Sequence, residues 1–160
     1  KRQELAATKK NGATVYVDYA HTPDAIDVAL KSLRPHILGK LIVIIGAGGE
    51  RDQGKRPLMG AAAEKNSDFV IITDDNPRTE DPSVIHQMIK NGIQNDNKVT
   101  VIADRAEAIL HAANLLEEGD GLLITGKGHE TEQVIGENNF PFDDFEQASL
   151  SVASLDGLEK

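Results

Sequence analysis

The sequence predicts an α/β fold: a mostly parallel sheet of about six strands, with helices on both faces and an antiparallel edge element near the C-terminus. Short apolar runs alternate with segments of helical spacing along most of the chain. Several of these runs are apolar throughout, which is typical of strands covered on both faces. The alternation stops after residue 130, where two short runs flank a turn and indicate a hairpin or an antiparallel edge strand.

Apolar, β-branched runs form the predicted parallel strands. They lie at residues 14–18, 41–45, 69–73, 99–102 and 121–125, and the antiparallel element lies at 133–142. Helical segments separate the strands at residues 22–34, 56–66, 83–92 and 103–118, and a short closing helix is predicted at 145–150. In the first helix, Thr22 can cap the N-terminus, Pro23 suits the first turn, and Pro35 ends the helix.

Length and composition restrict the possible classes of protein. A chain of 160 residues predicts one domain, and its net charge of −9 at pH 7 argues against a nucleic acid partner. The chain has no cysteine, which excludes disulfides and cysteine metal sites and fits a reducing compartment. No apolar stretch reaches the ~18 residues of a membrane span. We expect a cytoplasmic monomer without a membrane partner.

Polar clusters follow four of the predicted strands. They occupy residues 18–23, 46–56, 74–78 and 126–130. Because the carboxyl ends of parallel strands meet at one rim of a sheet, where ligands bind, the clusters should gather there. Any one of them could be an ordinary turn, but the four together indicate a ligand site.

The tetrapeptide Asp75-Asn76-Pro77-Arg78 directly follows a buried run. An arginine and an asparagine held by a proline-stiffened turn favour a carboxylate ligand, because a guanidinium donates two parallel hydrogen bonds to a carboxylate. Arg51, in the preceding cluster, is expected to face the same ligand. The alternative is an ordinary turn with an exposed arginine.

Residues 49–55 match the first seven positions of a P-loop, G-x-x-x-x-G-K. The next residue is Arg56, where serine or threonine would bind Mg²⁺. The segment is also rich in charged side chains, unlike the usual small-residue cradle. We interpret it as a charged loop that faces the ligand of Arg78.

The remaining two clusters each allow two interpretations. Asp18 could hold a ribose hydroxyl or cap the following turn, and His21 lies close behind it. Gly126 could let a ligand approach the backbone closely, and Glu130 could accept a hydrogen bond from an ammonium group. In the alternative interpretation, Gly126 only forms the turn and Glu130 is a solvated side chain. The other histidines show no metal-binding spacing, and no nucleophile with a partnered base can be identified. We therefore expect neither a metal site nor a catalytic residue here.

Taken together, the clusters resemble the C-terminal domain of the Mur ligases, in particular the type that adds meso-diaminopimelate. The matching stretches are residues 17–24, 48–59, 75–78 and 126–130, in family order, and the resemblance covers about residues 14–148. The Asp-Asn-Pro-Arg motif is the diaminopimelate signature of that family. The resemblance implies a Rossmann-like sheet.

The resemblance also implies a three-domain enzyme of peptidoglycan precursor synthesis. Residues 1–13 would be a linker remnant from the preceding central domain, 14–150 the C-terminal domain, and 151–160 a loosely held tail. ATP and Mg²⁺ would be bound mainly by the central domain, which this chain lacks. The implied reaction is ATP-dependent amide formation: the glutamate γ-carboxylate of UDP-MurNAc-L-Ala-D-Glu becomes an acyl phosphate, which the amine of meso-diaminopimelate attacks.

Residue roles follow from the matched motifs. The residues implied to bind meso-diaminopimelate are Arg51, Asp75, Asn76, Pro77, Arg78, Gly126 and Glu130. The resemblance implies that Asp18 and His21 contact ATP when the domains close, together with Arg2, which would match the arginine of the family's linker. The domain's work would be positioning, and we expect the isolated chain to have no ligase activity.

Alternative functions remain open at this point. A related ligase could add lysine, or glutamate as in folylpolyglutamate synthesis. A different class is a non-catalytic α/β binding module.

Overall fold

The computed structural model describes residues 3–158, and within this range it contains these elements. The strands are β1 Glu4–Thr8, β2 Thr14–Val17, β3 Leu41–Ile45, β4 Phe69–Ile72, β5 Val99–Val101, β6 Gly121–Ile124, β7 Glu132–Ile135 and β8 Asn138–Pro141. The helices are α1 Pro23–Leu33, α2 Arg56–Asn66, α3 Pro82–Lys90, α4 Arg105–Leu115 and α5 Asp144–Leu158. Single 3₁₀ turns occupy Arg34–His36, Gln53–Lys55 and Asp96–Lys98.

The main sheet has six strands in the order β1-β2-β6-β3-β4-β5. Strands β2 to β6 are parallel to one another, and only β1 runs antiparallel, with Glu4 opposite Val17. The predicted fold class is therefore confirmed. The antiparallel edge of this sheet is formed by the N-terminal strand β1, within the segment expected to be a linker. The sequence pattern did not predict this strand, because two of its five residues are alanines, which are weak strand formers.

Side chains of the central strands alternate between two hydrophobic cores. Val43 and Ile45 of β3 pack on one face beneath α1, α2 and α3. Ile42 and Ile44 point to the other face, which α4 and α5 cover. All five residues of β3 are buried. Because both faces are covered, these strands are apolar throughout, as predicted.

Side-chain caps and prolines set where the first helices begin. The hydroxyl of Thr22 accepts a hydrogen bond from the backbone N–H of Ala25, and Pro23 is the first residue of α1. Asp81 caps α3 in the same way, with Pro82 following it. The predicted cap of the first helix is thus confirmed, and both helices leave the sheet in a defined direction.

The C-terminal segment differs from its prediction in one respect. The antiparallel element is a separate two-stranded sheet, β7 and β8, in agreement with the hairpin alternative. The closing helix α5, however, runs from Asp144 to Leu158, and it buries Ser151 and Val152. Residues 151–158 are therefore not a loose tail, because Val152 fills the second core beside α4. No helix within residues 3–158 has the length and hydropathy needed to cross a membrane.

Candidate functional site

The loops that follow β2, β3, β4 and β6 meet at the carboxyl rim of the sheet around a cavity of about 430 Å³. Residues of all four sequence clusters line this cavity, in agreement with the expectation that they gather at one rim. Six of the seven predicted amino-acid-binding residues are among them: Arg51, Asp75, Asn76, Arg78, Gly126 and Glu130. These six residues therefore bring two arginines, one side-chain amide and two carboxylates to the wall of one cavity.

The other predicted residues do not all line this cavity. Pro77 is buried and packs its carbonyl against Gly49 instead of lining the cavity. His21 lines the cavity, whereas Asp18 does not. Arg2 falls outside the described residues.

The Asp75–Arg78 loop is attached to the β7–β8 hairpin by a single β-bridge between Arg78 and Ile135. The backbone N–H of Arg78 donates to the carbonyl of Val134 at 3.0 Å, and the carbonyl of Arg78 accepts from Gly136 at 2.6 Å. Arg78 also adopts a positive φ of 54°. A side chain in this left-handed region is strained, and the bonds to the hairpin hold it there. The hairpin therefore fixes the backbone of Arg78, and with it the direction in which the side chain of Arg78 points.

The guanidinium of Arg78 is anchored at one of its nitrogens. Its Nη1 donates to the carbonyl of Gly49 at 3.1 Å and to the carbonyl of Asn76 at 3.4 Å. Gly48 lies directly against it, since a Cβ there would stand 2.9 Å from Nη1 and 3.3 Å from the side chain of Arg51. The two arginines thus approach each other across a glycine, which lets both reach the same space.

Lys127 lies behind the cavity wall, close to the carboxylates of Asp75 and Glu130, and its side chain is fully buried. Its Nζ lies 3.5 Å from Oδ1 of Asp75 and 3.8 Å from Oε1 of Glu130. Burial lowers the pKa of Lys127 below its ordinary value, and the charge of Asp75 acts in the opposite direction. The cation offsets the negative charge that the two acids bring to the wall.

An ion pair between a buried arginine and a partly exposed glutamate, which the sequence did not predict, supports the loop that carries Arg51. Arg56, which is 1% exposed, donates two hydrogen bonds to the carboxylate of Glu80 at 2.7 and 2.8 Å and one to the carbonyl of Gly48. Glu80 also accepts the backbone N–H of Glu50. The side chain of Arg56, at the position after the P-loop-like segment, therefore ties that loop to the loop that carries Arg78. Its charge was the sole sequence signal.

A second missed pair joins Arg105 at the start of α4 to Asp144 at the start of α5. Arg105 also donates to the carbonyls of Asp74 and Thr125, which precede the two loops of the cavity. On sequence alone, Arg105 resembles an exposed residue of an amphipathic helix, so no signal distinguished it.

Asp18 lies beside a neighbouring cavity of about 390 Å³, which Glu130 and Lys127 also line. Its Oδ1 accepts the backbone N–H of Ala20, and burial raises its pKa above the ordinary 3.8. The rings of His129 and Phe145 stack with centroids 4.7 Å apart on the wall of this cavity. A carboxylate beside aromatic faces can bind the sugar and base of a nucleoside. Among residues 3–158, no group of three histidine, aspartate or glutamate side chains could hold a metal ion.

Comparison with protein families gives one match of long extent. The model described as "Mur ligase, glutamate ligase domain" matches residues 1–128.

Curated relatives of high similarity carry one name. The chain is 48% identical over 156 residues to the UDP-N-acetylmuramoyl-L-alanyl-D-glutamate–2,6-diaminopimelate ligase of Agrobacterium fabrum, covering 98% of this chain and 31% of the relative. It is 53% identical over 138 residues to the ligase of the same name from Coxiella burnetii, covering 86% of this chain and 28% of the relative. The chain thus spans about a third of the length of these relatives.

Solved structures resemble the fold over nearly the whole chain. A UDP-N-acetylmuramoyl-L-alanyl-D-glutamate–2,6-diaminopimelate ligase is 40% identical with a TM-score of 0.91, covering 97% of this chain and 32% of that one. A bifunctional folylpolyglutamate synthase/dihydrofolate synthase from Yersinia pestis, solved with AMPPNP and Mn, shares the fold at 15% identity and a TM-score of 0.59, covering 95% of this chain and 30% of that one.

Proposed function

Because the chain belongs to the Mur ligase family, as its motifs predict, we propose that it is the amino-acid-binding domain of a larger ATP-dependent ligase. That ligase would join meso-diaminopimelate to UDP-MurNAc-L-Ala-D-Glu in the cytoplasm, as a step of peptidoglycan precursor synthesis, and would act as a monomer. The names of the relatives support this substrate pair. One structural observation carries the proposal: Arg51, Arg78 and Glu130 line a single cavity.

The charges of the cavity match the charges of the proposed amino acid. Meso-diaminopimelate differs from lysine by one distal carboxylate. Both hydrogen bonds that the structure gives the Arg78 guanidinium within residues 3–158 use Nη1, so its other nitrogens are available to a ligand carboxylate. Arg51 would share that carboxylate, and Glu130 would bind the adjacent ammonium group.

This arrangement would also reject lysine. Lysine has no distal carboxylate, so Arg78 and Asn76 would lose their ligand partner in the closed enzyme. A site built around such a polar group discriminates against the analogue that lacks it by roughly 10⁴-fold. The same argument disfavours glutamate, which has no distal ammonium group for Glu130.

The residues of this chain would contribute binding and orientation to the reaction. ATP, held with Mg²⁺ mainly by the central domain, would supply the activation of the glutamate γ-carboxylate. Arg51, Arg78 and Glu130 would hold the diaminopimelate so that its amine faces that carboxylate. Asp18 and His21 are proposed to contact the nucleotide when the domains close, which the aromatic cavity beside Asp18 supports.

The test uses the full-length protein that carries this chain and measures ADP release with meso-diaminopimelate, L-lysine or L-glutamate. We expect activity with meso-diaminopimelate alone, and Arg78→Ala should lower kcat/KM by about 10³-fold or more, since a charged partner is lost from a closed site. The matched control is Arg34→Ala, because Arg34 is 42% exposed and bonds to Asp68 and Gly39 away from the cavity. Equal activity of wild-type protein and Arg78→Ala would contradict the proposal.

A further inference from the structure

The buried ammonium of Lys127 connects three segments next to the cavity that Arg78 and Asn76 line. Its side chain is 0% exposed, and Nζ donates to Oδ1 of Asn76 and to the carbonyl of Glu132, both at 2.8 Å. Lys127 belongs to the loop after β6, Asn76 to the loop after β4, and Glu132 to β7. Lys127 is too deeply buried to be an ordinary surface lysine, so its contacts within the wall define what it does.

The contacts of Asn76 determine the orientation of its side-chain amide. Oδ1 accepts one hydrogen bond from Nζ of Lys127 at 2.8 Å and another from the backbone N–H of Val134 at 2.9 Å. An ammonium and a backbone N–H can only donate, so the atom between them must be the amide oxygen. The amide nitrogen is consequently on the opposite side.

That nitrogen is the part of Asn76 available to a ligand. Asn76 lines the cavity, and within residues 3–158 the structure gives Nδ2 no hydrogen-bond partner. An NH₂ group offers donors to a carboxylate, whereas the flipped amide would place an oxygen against it. The orientation of this one amide therefore decides whether Asn76 favours or opposes an anionic ligand.

We propose that Lys127 is a positioning residue that holds Oδ1 of Asn76 and so directs Nδ2 into the cavity as a donor to the ligand carboxylate. The inference rests on the proposed function, since it concerns binding of the same amino acid. In the competing role, Lys127 would act through its charge and without Asn76. Its Nζ lies 3.5 Å from Oδ1 of Asp75, so it would reduce the repulsion between Asp75 and an anionic ligand. The two roles differ in whether Lys127 acts through Asn76.

A double-mutant cycle on the full-length protein separates these roles. The variants are Lys127→Met, Asn76→Ala and the two combined, and the readout is KM for meso-diaminopimelate at measured kcat. We expect Lys127→Met alone to raise KM by about tenfold or more, because the amide loses the charged bond that orients it. In the Asn76→Ala background the same substitution should change KM by less than about twofold. An equal increase in both backgrounds would overturn the inference.

Two further variants guard against a folding defect. Asn76→Asp keeps an oxygen for Lys127 and Val134 but puts a second oxygen where Nδ2 stands, so we expect an unchanged melting temperature and a KM raised by about 100-fold. An unchanged KM in this variant would overturn the inference even if Lys127→Met fails to fold. The lysine control is Lys31→Met, because the side chain of Lys31 on α1 is 57% exposed.

The results also separate failure of this inference from failure of the proposed function. If the wild-type protein is inactive with meso-diaminopimelate, the proposed function is refuted, and this inference with it. If the wild-type protein is active but the effects of Lys127→Met and Asn76→Ala on KM are independent, only the role of Lys127 is refuted.

Discussion

The guanidinium of Arg105 donates to both carboxylate oxygens of Asp144, at 2.8 and 2.7 Å, and neither side chain is exposed to solvent. Arg105 also donates to the carbonyls of Asp74 and Thr125, just beyond the ends of β4 and β6. One ion pair thus ties the first turn of α5 to the two strand ends that carry the cavity loops. The C-terminal helix is in this way a support of the site.

Removing the charge of Asp144 should destabilise the fold strongly. Asp144→Asn leaves the buried guanidinium without its anion, so we expect the free energy of unfolding to fall by about 3–5 kcal/mol in urea denaturation. Glu146→Gln, an exposed position in the same turn of α5, is the control and should change stability by less than about 0.5 kcal/mol. Similar stabilities for the two variants would show that the pair is dispensable.

Gly49 should tolerate no side chain. A Cβ at this position would collide with the backbone carbonyl of Pro77, a group that cannot rotate away. We expect Gly49→Ala to lower the free energy of unfolding by about 1–3 kcal/mol, and to weaken binding of meso-diaminopimelate because Arg78 shifts with Pro77. Gly157→Ala, where a Cβ meets nothing within 4 Å, provides the matched control and should not destabilise the protein. Thermal melts and calorimetric titration would measure both effects.

The backbone conformation of Arg78 should lower the stability of the fold, because a φ of 54° is unfavourable for any residue with a Cβ. Arg78→Ala and Arg78→Gly both remove the guanidinium and should lose binding equally. Arg78→Gly should nevertheless be more stable than Arg78→Ala by about 1 kcal/mol in urea denaturation, since glycine adopts this conformation without strain. The φ of the neighbouring Thr79 is not positive, so Thr79→Ala should be more stable than Thr79→Gly. The same order at both positions would contradict backbone strain at Arg78.

The Arg56–Glu80 pair should make stability depend on pH in the acid range. The guanidinium of Arg56 lowers the pKa of Glu80 from 4.5 to about 2. A depressed pKa means that the stabilisation is fully present above pH 4.5 and is lost as the pH falls towards 2. Glu80→Gln should therefore lower the free energy of unfolding by about 2 kcal/mol near neutral pH, less than the full shift because the carboxylate is 15% exposed.

The measurement is a set of urea denaturations of wild-type protein and Glu80→Gln between neutral pH and about pH 2. The pKa values of Glu64 and Asp68 are lowered as well, by hydrogen bonds from backbone N–H groups and from Arg34, so the difference between the two proteins is the relevant quantity. It should shrink as the pH falls. A difference independent of pH would mean that the pair contributes through packing alone.

Much of the fold could be predicted because its signals are local. Apolar runs such as the one before Asp75, prolines at helix starts and the cap at Thr22 each depend on a few neighbouring residues. Strand β1 and the second half of α5 were missed because their stability comes from packing on β2 and on the second core. Those partners are far away in sequence, and the segments themselves carry weak patterns.

Sequence patterns were enough to predict the α/β class, the family and the rim at which Arg51, Arg78 and Glu130 meet, because parallel strands bring their carboxyl ends together wherever the helices pack. How these side chains are held became visible only in the folded chain. Arg56 bonds to Glu80, which is 24 residues away, and Lys127 bonds to Asn76, which is 51 residues away. Such contacts leave no periodic or local trace in a sequence, since burial and hydrogen-bond geometry arise only when distant segments are packed into one core.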